Sequence, residues 1–140
     1  MKSTSHEIGA TLLRLTLGVM YLAHAGLKAF VFTMPGTVQF FVSQGFPGWT
    51  AYAVVAAETA AGLLLISGLY VRQVSLAMLP VLLGAALVHF PNGWVFNAQG
   101  GGWEYPVFLA IASVVQSLIG EGAYALRWHS APVFGHTAKA

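Results

Sequence analysis

The sequence predicts an all-α fold: a four-helix transmembrane bundle, antiparallel and up-down, with both termini cytoplasmic. Three observations predict it. Hydrophobic residues make up 57% of the 140 residues and charged residues only 7%, whereas a soluble surface needs about 25–35% charge. The apolar residues gather in four segments, each close to the ~20 residues that cross ~30 Å of hydrocarbon as a helix. Runs such as Val54-Val55-Ala56-Ala57 and Leu63-Leu64-Leu65-Ile66 do not alternate, as a transmembrane β-barrel requires over segments of about 10 residues. The same composition excludes a water-soluble enzyme and a disordered chain.

The first segment runs from about Ile8 to Phe32, the second from about Trp49 to Leu69, the third from about Gln73 to Phe90 and the fourth from about Glu104 to Leu126. Met34-Pro35-Gly36 and Phe46-Pro47-Gly48 bracket the first loop. Tyr70-Val71-Arg72 is so short a connection that spans two and three must be antiparallel neighbours. Pro91-Asn92-Gly93 and Gly100-Gly101-Gly102 punctuate the third connection. Pro80 falls inside the third span, removes one backbone hydrogen bond and predicts a kink. Residues 1–127 thus form one membrane domain, and residues 128–140 a cytoplasmic tail with the isolated His129 and His136. A cleaved signal ending at Ala23-His24-Ala25 is the competing reading of the N-terminus. Arg14 would leave it an apolar region of only eight residues, Leu15 to Leu22, and hydrophobicity resumes through Phe32.

Lys2, Arg14, Arg72, Arg127 and Lys139 fall on one side of a four-span chain and only Lys28 on the other, which places the termini inside a bacterial-type inner membrane. Trp49, Trp94 and Trp103 then mark the outer interface and Trp128 the inner one. No basic run exceeds one residue, so nucleic acid has no electrostatic footprint to bind. The absence of Cys excludes disulfides, thiolate nucleophiles, iron–sulfur clusters and dithiol relays.

Ionisable residues at bilayer depth cost roughly 2.5–3.5 kcal/mol each at a helix centre and usually face a functional path. On the first helix Arg14, Tyr21, His24 and Lys28 share a face with Gly18 and Ala25. Arg14 is expected to snorkel to the cytoplasmic headgroups, and outward snorkelling competes with an inward role for Lys28. His24 lies about 12 Å from the outer end, and Glu58 about 13 Å along the second span from Trp49. Glu58 is the strongest signal, since a buried carboxylate needs a cation, a donor or a proton. Interhelical hydrogen bonding is the plainer role for Glu58, and an interfacial position for His89 and Glu104. Together, His24, Lys28, Glu58, His89 and Glu104 project to the outer half of one bilayer and predict a polar pocket, with Tyr21, Gln99 and Tyr105 in support.

Two chemistries suit that pocket. A quinone head has carbonyl oxygens that need donors, and its reduction consumes protons that a His and a Glu can relay. Glu58 and His24 are therefore the candidate catalytic residues, with Tyr21, Lys28, His89 and Glu104 as ligand-binding residues. A metal ion held by two His and two carboxylates is the second reading. It ranks lower because no Glu-x-x-His pair is present. Haem ranks below both, since His24 and His89 would have to face each other. From another class of function, the same pocket serves a non-catalytic scaffold or a small-molecule carrier. The expected partners are the lipid bilayer, a redox partner protein and a second copy of the chain packed through Ala-rich faces.

These residues resemble the DoxX family of small four-helix membrane proteins. Arg14, Gly18, His24 and Lys28 match its first-helix pattern, with Ala25 where the family carries glycine and Gly26 one place later. Glu58-Thr59-Ala60-Ala61-Gly62, then Gly68-Leu69 and Arg72, match the second, and Glu104-Tyr105-Pro106 the start of the last. Gly120 to Leu126 resembles the family's terminal Gly-Pro-Gly-x-x-Ser-Leu-Asp motif, with Glu121 for Pro, Ala125 for Ser and Arg127 for Asp. The resemblance covers about residues 8–127. It implies a membrane subunit linked to redox chemistry: some relatives belong to thiosulfate:quinone oxidoreductases, others to membrane complexes that handle oxidative stress.

Overall fold

The computed structural model describes residues 3–126, and these are helical with no strand among them. Helix α1 spans Ser5–Gly26 and continues as a π-helical turn, Leu27–Val31. Then come α2 (Met34–Ser43), α3 (Trp49–Ser67), α4 (Val71–Ala77), α5 (Leu79–His89) with a 3-10 turn at Phe90–Asn92, and α6 (Glu104–Ile119). Three stretches are long and apolar enough to cross a membrane: Ser5–Val31, Trp49–Ser67 and Val71–Asn92. The fourth apolar helix, Glu104–Ile119, is shorter, with 16 residues. Large apolar side chains such as Leu12, Val19, Leu63, Leu87, Phe108 and Leu118 point outward, as lipid-facing positions do. The expected tail, with Arg127, Trp128, His129, His136 and Lys139, lies outside the described residues, as does Lys2.

Local chemistry explains where the helices begin and end. Thr4 and Glu7 form a reciprocal capping box: Glu7 N–H donates to Thr4 Oγ1 at 3.3 Å, and Thr4 N–H to Glu7 Oε2 at 2.8 Å. Helix α3 ends in a Schellman turn, with Leu69 N–H on Leu64 O at 2.9 Å and Gly68 N–H on Leu65 O at 3.1 Å. Gly68 takes φ +82 there, a left-handed conformation that favours glycine. Pro80 has no N–H to give, and the helix is interrupted at Met78 between α4 and α5, although Met78 keeps a right-handed helical backbone at φ -81 and ψ -11 and Leu82 N–H reaches Met78 O at 3.1 Å.

Helix α1 is the centre of the packing and runs antiparallel to both α3 and α6. It crosses α3 where Gly18 faces Gly62. A Cβ on Gly62 would lie 2.9 Å from Gly18 O, and one on Gly18 would lie 3.0 Å from Gly62 O. Only two glycines allow backbones so near. On its other side Gln116 Nε2 donates to Ala10 O at 3.3 Å, and Tyr21 OH pairs with Ser113 Oγ at 3.0 Å. Helices α4 and α5 pack on α6, whereas α3 and α5 scarcely touch. They diverge from the tight turn at Gly68–Tyr70 and leave a gap.

Three expectations need correction. The first loop contains a helix, α2: Thr33 caps it by accepting from Gly36 N–H at 3.4 Å, and Pro35 suits its first turn. The fourth helix stops at Ile119 instead of running on to Leu126, because Gly120 turns the chain at φ +85. Arg14 does not snorkel. It is only 1% exposed, and its Nη1 donates to Leu65 O at 2.7 Å and to Ile66 O at 2.8 Å. A guanidinium adds donors to the carbonyls at the C-terminus of α3 and suits the negative end of its dipole. Arg72 does the same for α6, donating to Ser117 O at 2.9 Å and Leu118 O at 3.2 Å. The segment after α6 folds back over Arg14: Ala123 N–H reaches Glu7 O and Leu126 N–H reaches Ser67 O.

Candidate functional site

The end of α1 aims the first charged group. In the π-helical turn Phe32 N–H bonds to Leu27 O at 2.9 Å, five residues back. That leaves Lys28 O free of the helical ladder, and Thr37 Oγ1 of α2 donates to it at 2.8 Å. Such turns recur at functional sites because they re-aim a side chain without ending the helix. Here the side chain is Lys28, turned toward α3. Its Nζ lies 2.8 Å from Glu58 Oε1 and 3.0 Å from Oε2. The Glu58 side chain is 7% exposed and that of Lys28 19%. The inward role of Lys28 therefore prevails over outward snorkelling. The buried Glu58 carboxylate thus has Lys28 as the cation that a buried charge requires.

The pair faces a partly open cavity of about 410 Å³ that fills the gap between α3 and α5. Its walls are mostly apolar: Val54 of α3, Val81, Leu82, Ala85 and Val88 of α5, Leu109 of α6, and Phe40 and Phe41 of α2. Into this enclosure project Tyr21, His24, Lys28, Glu58, His89 and Tyr105. The His24 ring stacks on Tyr105, with centroids 5.4 Å apart and planes at 19°. His24 Nδ1 bonds to Met20 O at 2.8 Å, and His89 Nδ1 to Gly100 O at 3.0 Å. The buried Tyr105 hydroxyl has no hydrogen-bond partner among the described residues.

Of the six candidate site residues, five line this cavity. Glu104 does not. Its Oε1 accepts from Phe96 N–H at 2.9 Å, and it sits in a shallow depression with Trp94, Phe96 and Phe108. Gln99 is outside the cavity too. Among the described residues no three His, Asp or Glu side chains gather to hold a metal ion. Sequence reasoning missed the aromatic wall from α2. Its signal was the Thr33-x-Pro35 helix start, read as a loop boundary. It also missed Ser113, the partner of Tyr21, since one serine in an apolar helix carries no signal of its own.

The chemistry of this donor set suits a flat, polar-edged head. Lys28 keeps one N–H beyond the two given to Glu58, and the apolar walls suit an aromatic ring.

Comparison with known proteins agrees with the geometry at the level of family. The chain is 36% identical over 123 residues to the protein named "Putative oxidoreductase CatD" of Bacillus subtilis (strain 168), with 87% of each chain covered. No solved structure matches it. The family model DoxX matches residues 9–91, which include most of α1, all of α3 and the Lys28–Glu58 pair. The chain belongs to the DoxX family.

Proposed function

We propose that this protein is a quinone-interacting membrane subunit of an oxidoreductase system. In this reading α1, α3, the α4–α5 pair and α6 all cross a bacterial inner membrane, with both termini cytoplasmic. The observation that carries the reading is the cavity itself, an apolar enclosure lined by one buried ion pair and by the rings of His24, His89, Tyr21 and Tyr105. The word oxidoreductase in the name of the similar Bacillus protein points the same way.

The residues present fit the head of a quinone. Lys28 is the donor for a carbonyl oxygen, Glu58 holds Lys28 in place, and His24 stands at the wall where a proton can be taken up or given. When bound, a quinone supplies two-electron, two-proton redox chemistry. The chain has no Cys, so the electrons reach the site from a redox partner protein rather than from thiols of its own. The test is the amount of quinone that co-purifies per chain from native membranes. Near-stoichiometric quinone in the wild type, lost in Glu58→Gln while the variant still inserts, is the expected result. Normal quinone in Glu58→Gln would refute the site.

One observation favours a second reading. Lys28 and Glu58 satisfy each other directly, so the pair can serve only to hold helices in register, as in a scaffold or a carrier of a neutral ligand. The absorption spectrum of purified protein separates the two. Absorbance that changes on adding dithionite fits a redox ligand, whereas Trp and Tyr bands alone fit a scaffold.

A further inference from the structure

The two cavity histidines share a constraint. A backbone carbonyl oxygen only accepts hydrogen bonds, so the Nδ1 atoms of His24 and His89, bonded to Met20 O and Gly100 O, both carry the proton. In the neutral ring Nε2 then holds the lone pair. Neither Nε2 has a protein partner among the described residues. With the Glu58 carboxylate, the cavity is therefore rich in acceptors. Its spare donor is the third N–H of Lys28.

A quinone head offers acceptors alone. Set against two imidazole lone pairs in an apolar enclosure, it leaves them unsatisfied. An aromatic diol presents the same flat ring with O–H donors on its edge. We infer that the cavity binds the reduced, hydroxyl-bearing form of its ligand, an aromatic diol, more tightly than the corresponding quinone, with His24 Nε2 accepting from one hydroxyl. Tyr105, stacked on His24, is a further contact residue. The inference rests on the quinone reading above and names the redox form that the site favours. A site that hydrogen-bonds a hydroxyl rejects the analogue lacking it far more strongly than a change in apolar size would. A tenfold preference for the reduced form raises the potential of the bound couple by about 30 mV.

The experiment is anaerobic calorimetric titration of the purified full-length protein with a soluble benzoquinone and with its hydroquinone. The wild type is expected to bind the hydroquinone at least about tenfold more tightly. His24→Leu is expected to bring the two constants together, chiefly by weakening hydroquinone, and His89→Leu provides the same comparison if the first variant fails to fold. A quinone bound as tightly as its hydroquinone, or more tightly, overturns this inference and leaves the proposed function standing. A preference that survives both substitutions overturns the role of the histidines. Binding of neither form overturns both readings together.

Discussion

The Lys28–Glu58 contact is the most consequential pair of side chains in the molecule. Truncating one partner of a buried ion pair strands the other charge, which costs about 3–5 kcal/mol, whereas replacing both with apolar groups is often neutral. Lys28→Met and Glu58→Leu are each expected to destabilise by about 3 kcal/mol or more, and the double variant by much less. Unfolding curves in detergent measure all four corners of that cycle. Tyr105→Phe removes a buried hydroxyl that bonds to no described protein group, so it is expected to leave stability unchanged or raise it by up to about 1 kcal/mol. A loss of stability would mean that the hydroxyl is satisfied by the protein. Glu58, His24 and Lys28 were legible in the sequence because ionisable groups stand out among apolar ones. The burial of Arg14 was not, because its partners are main-chain carbonyls at the end of α3, a group that every residue type carries alike.

Two places in the helices set the shape of the cavity. At the crossing of α1 and α3, a Cβ on Gly62 would meet Leu22 Cγ at 2.6 Å and Gly18 O at 2.9 Å. The backbone oxygen cannot give way as a side chain can, so Gly62→Ala is expected to cost about 1–3 kcal/mol through overpacking. Denaturant unfolding reads this directly. At the break between α4 and α5, Pro80→Ala restores a backbone donor and lets the two helices join. Equal or higher stability is expected, together with weaker ligand binding as the gap between α3 and α5 closes. The helices themselves were legible from apolar segments bounded by Pro and Gly. Helix α2 was not, since its 10 residues lie in a stretch where Pro and Gly at both ends read equally well as a loop.

At the scale of the whole molecule the two ends differ. Arg14 and Arg72 tie down the C-termini of α3 and α6 at one end, while the cavity opens between α3 and α5 toward the other. The proposed topology puts the arginine end in the cytoplasm. A chain without Cys makes this simple to check by single-cysteine labelling. Ala98→Cys, in the α5–α6 connection, is expected to react with a membrane-impermeant maleimide on intact cells, and Ser5→Cys only after lysis. The reverse pattern would invert the topology. The DoxX resemblance was legible because the residues that carry it, Arg14, Lys28, Glu58 and Gly62 among them, lie within the stretch 9–91 that the family model matches. The place of Glu104 outside the cavity was not, because that depends on how the α5–α6 connection folds back, with Phe96 N–H reaching its carboxylate.

The claim that the gap between α3 and α5 holds a quinone is tested most directly by photolabelling. An azido-quinone irradiated with the protein in native membranes, followed by peptide mapping, identifies the residues that surround the head. The account predicts label confined to the cavity wall, on Phe40, Phe41, Val54, Leu109 and Tyr105, and displaced by excess quinone. Label spread over the lipid-facing residues Leu12, Val19, Leu63 and Leu118, and not displaced by competitor, would contradict it.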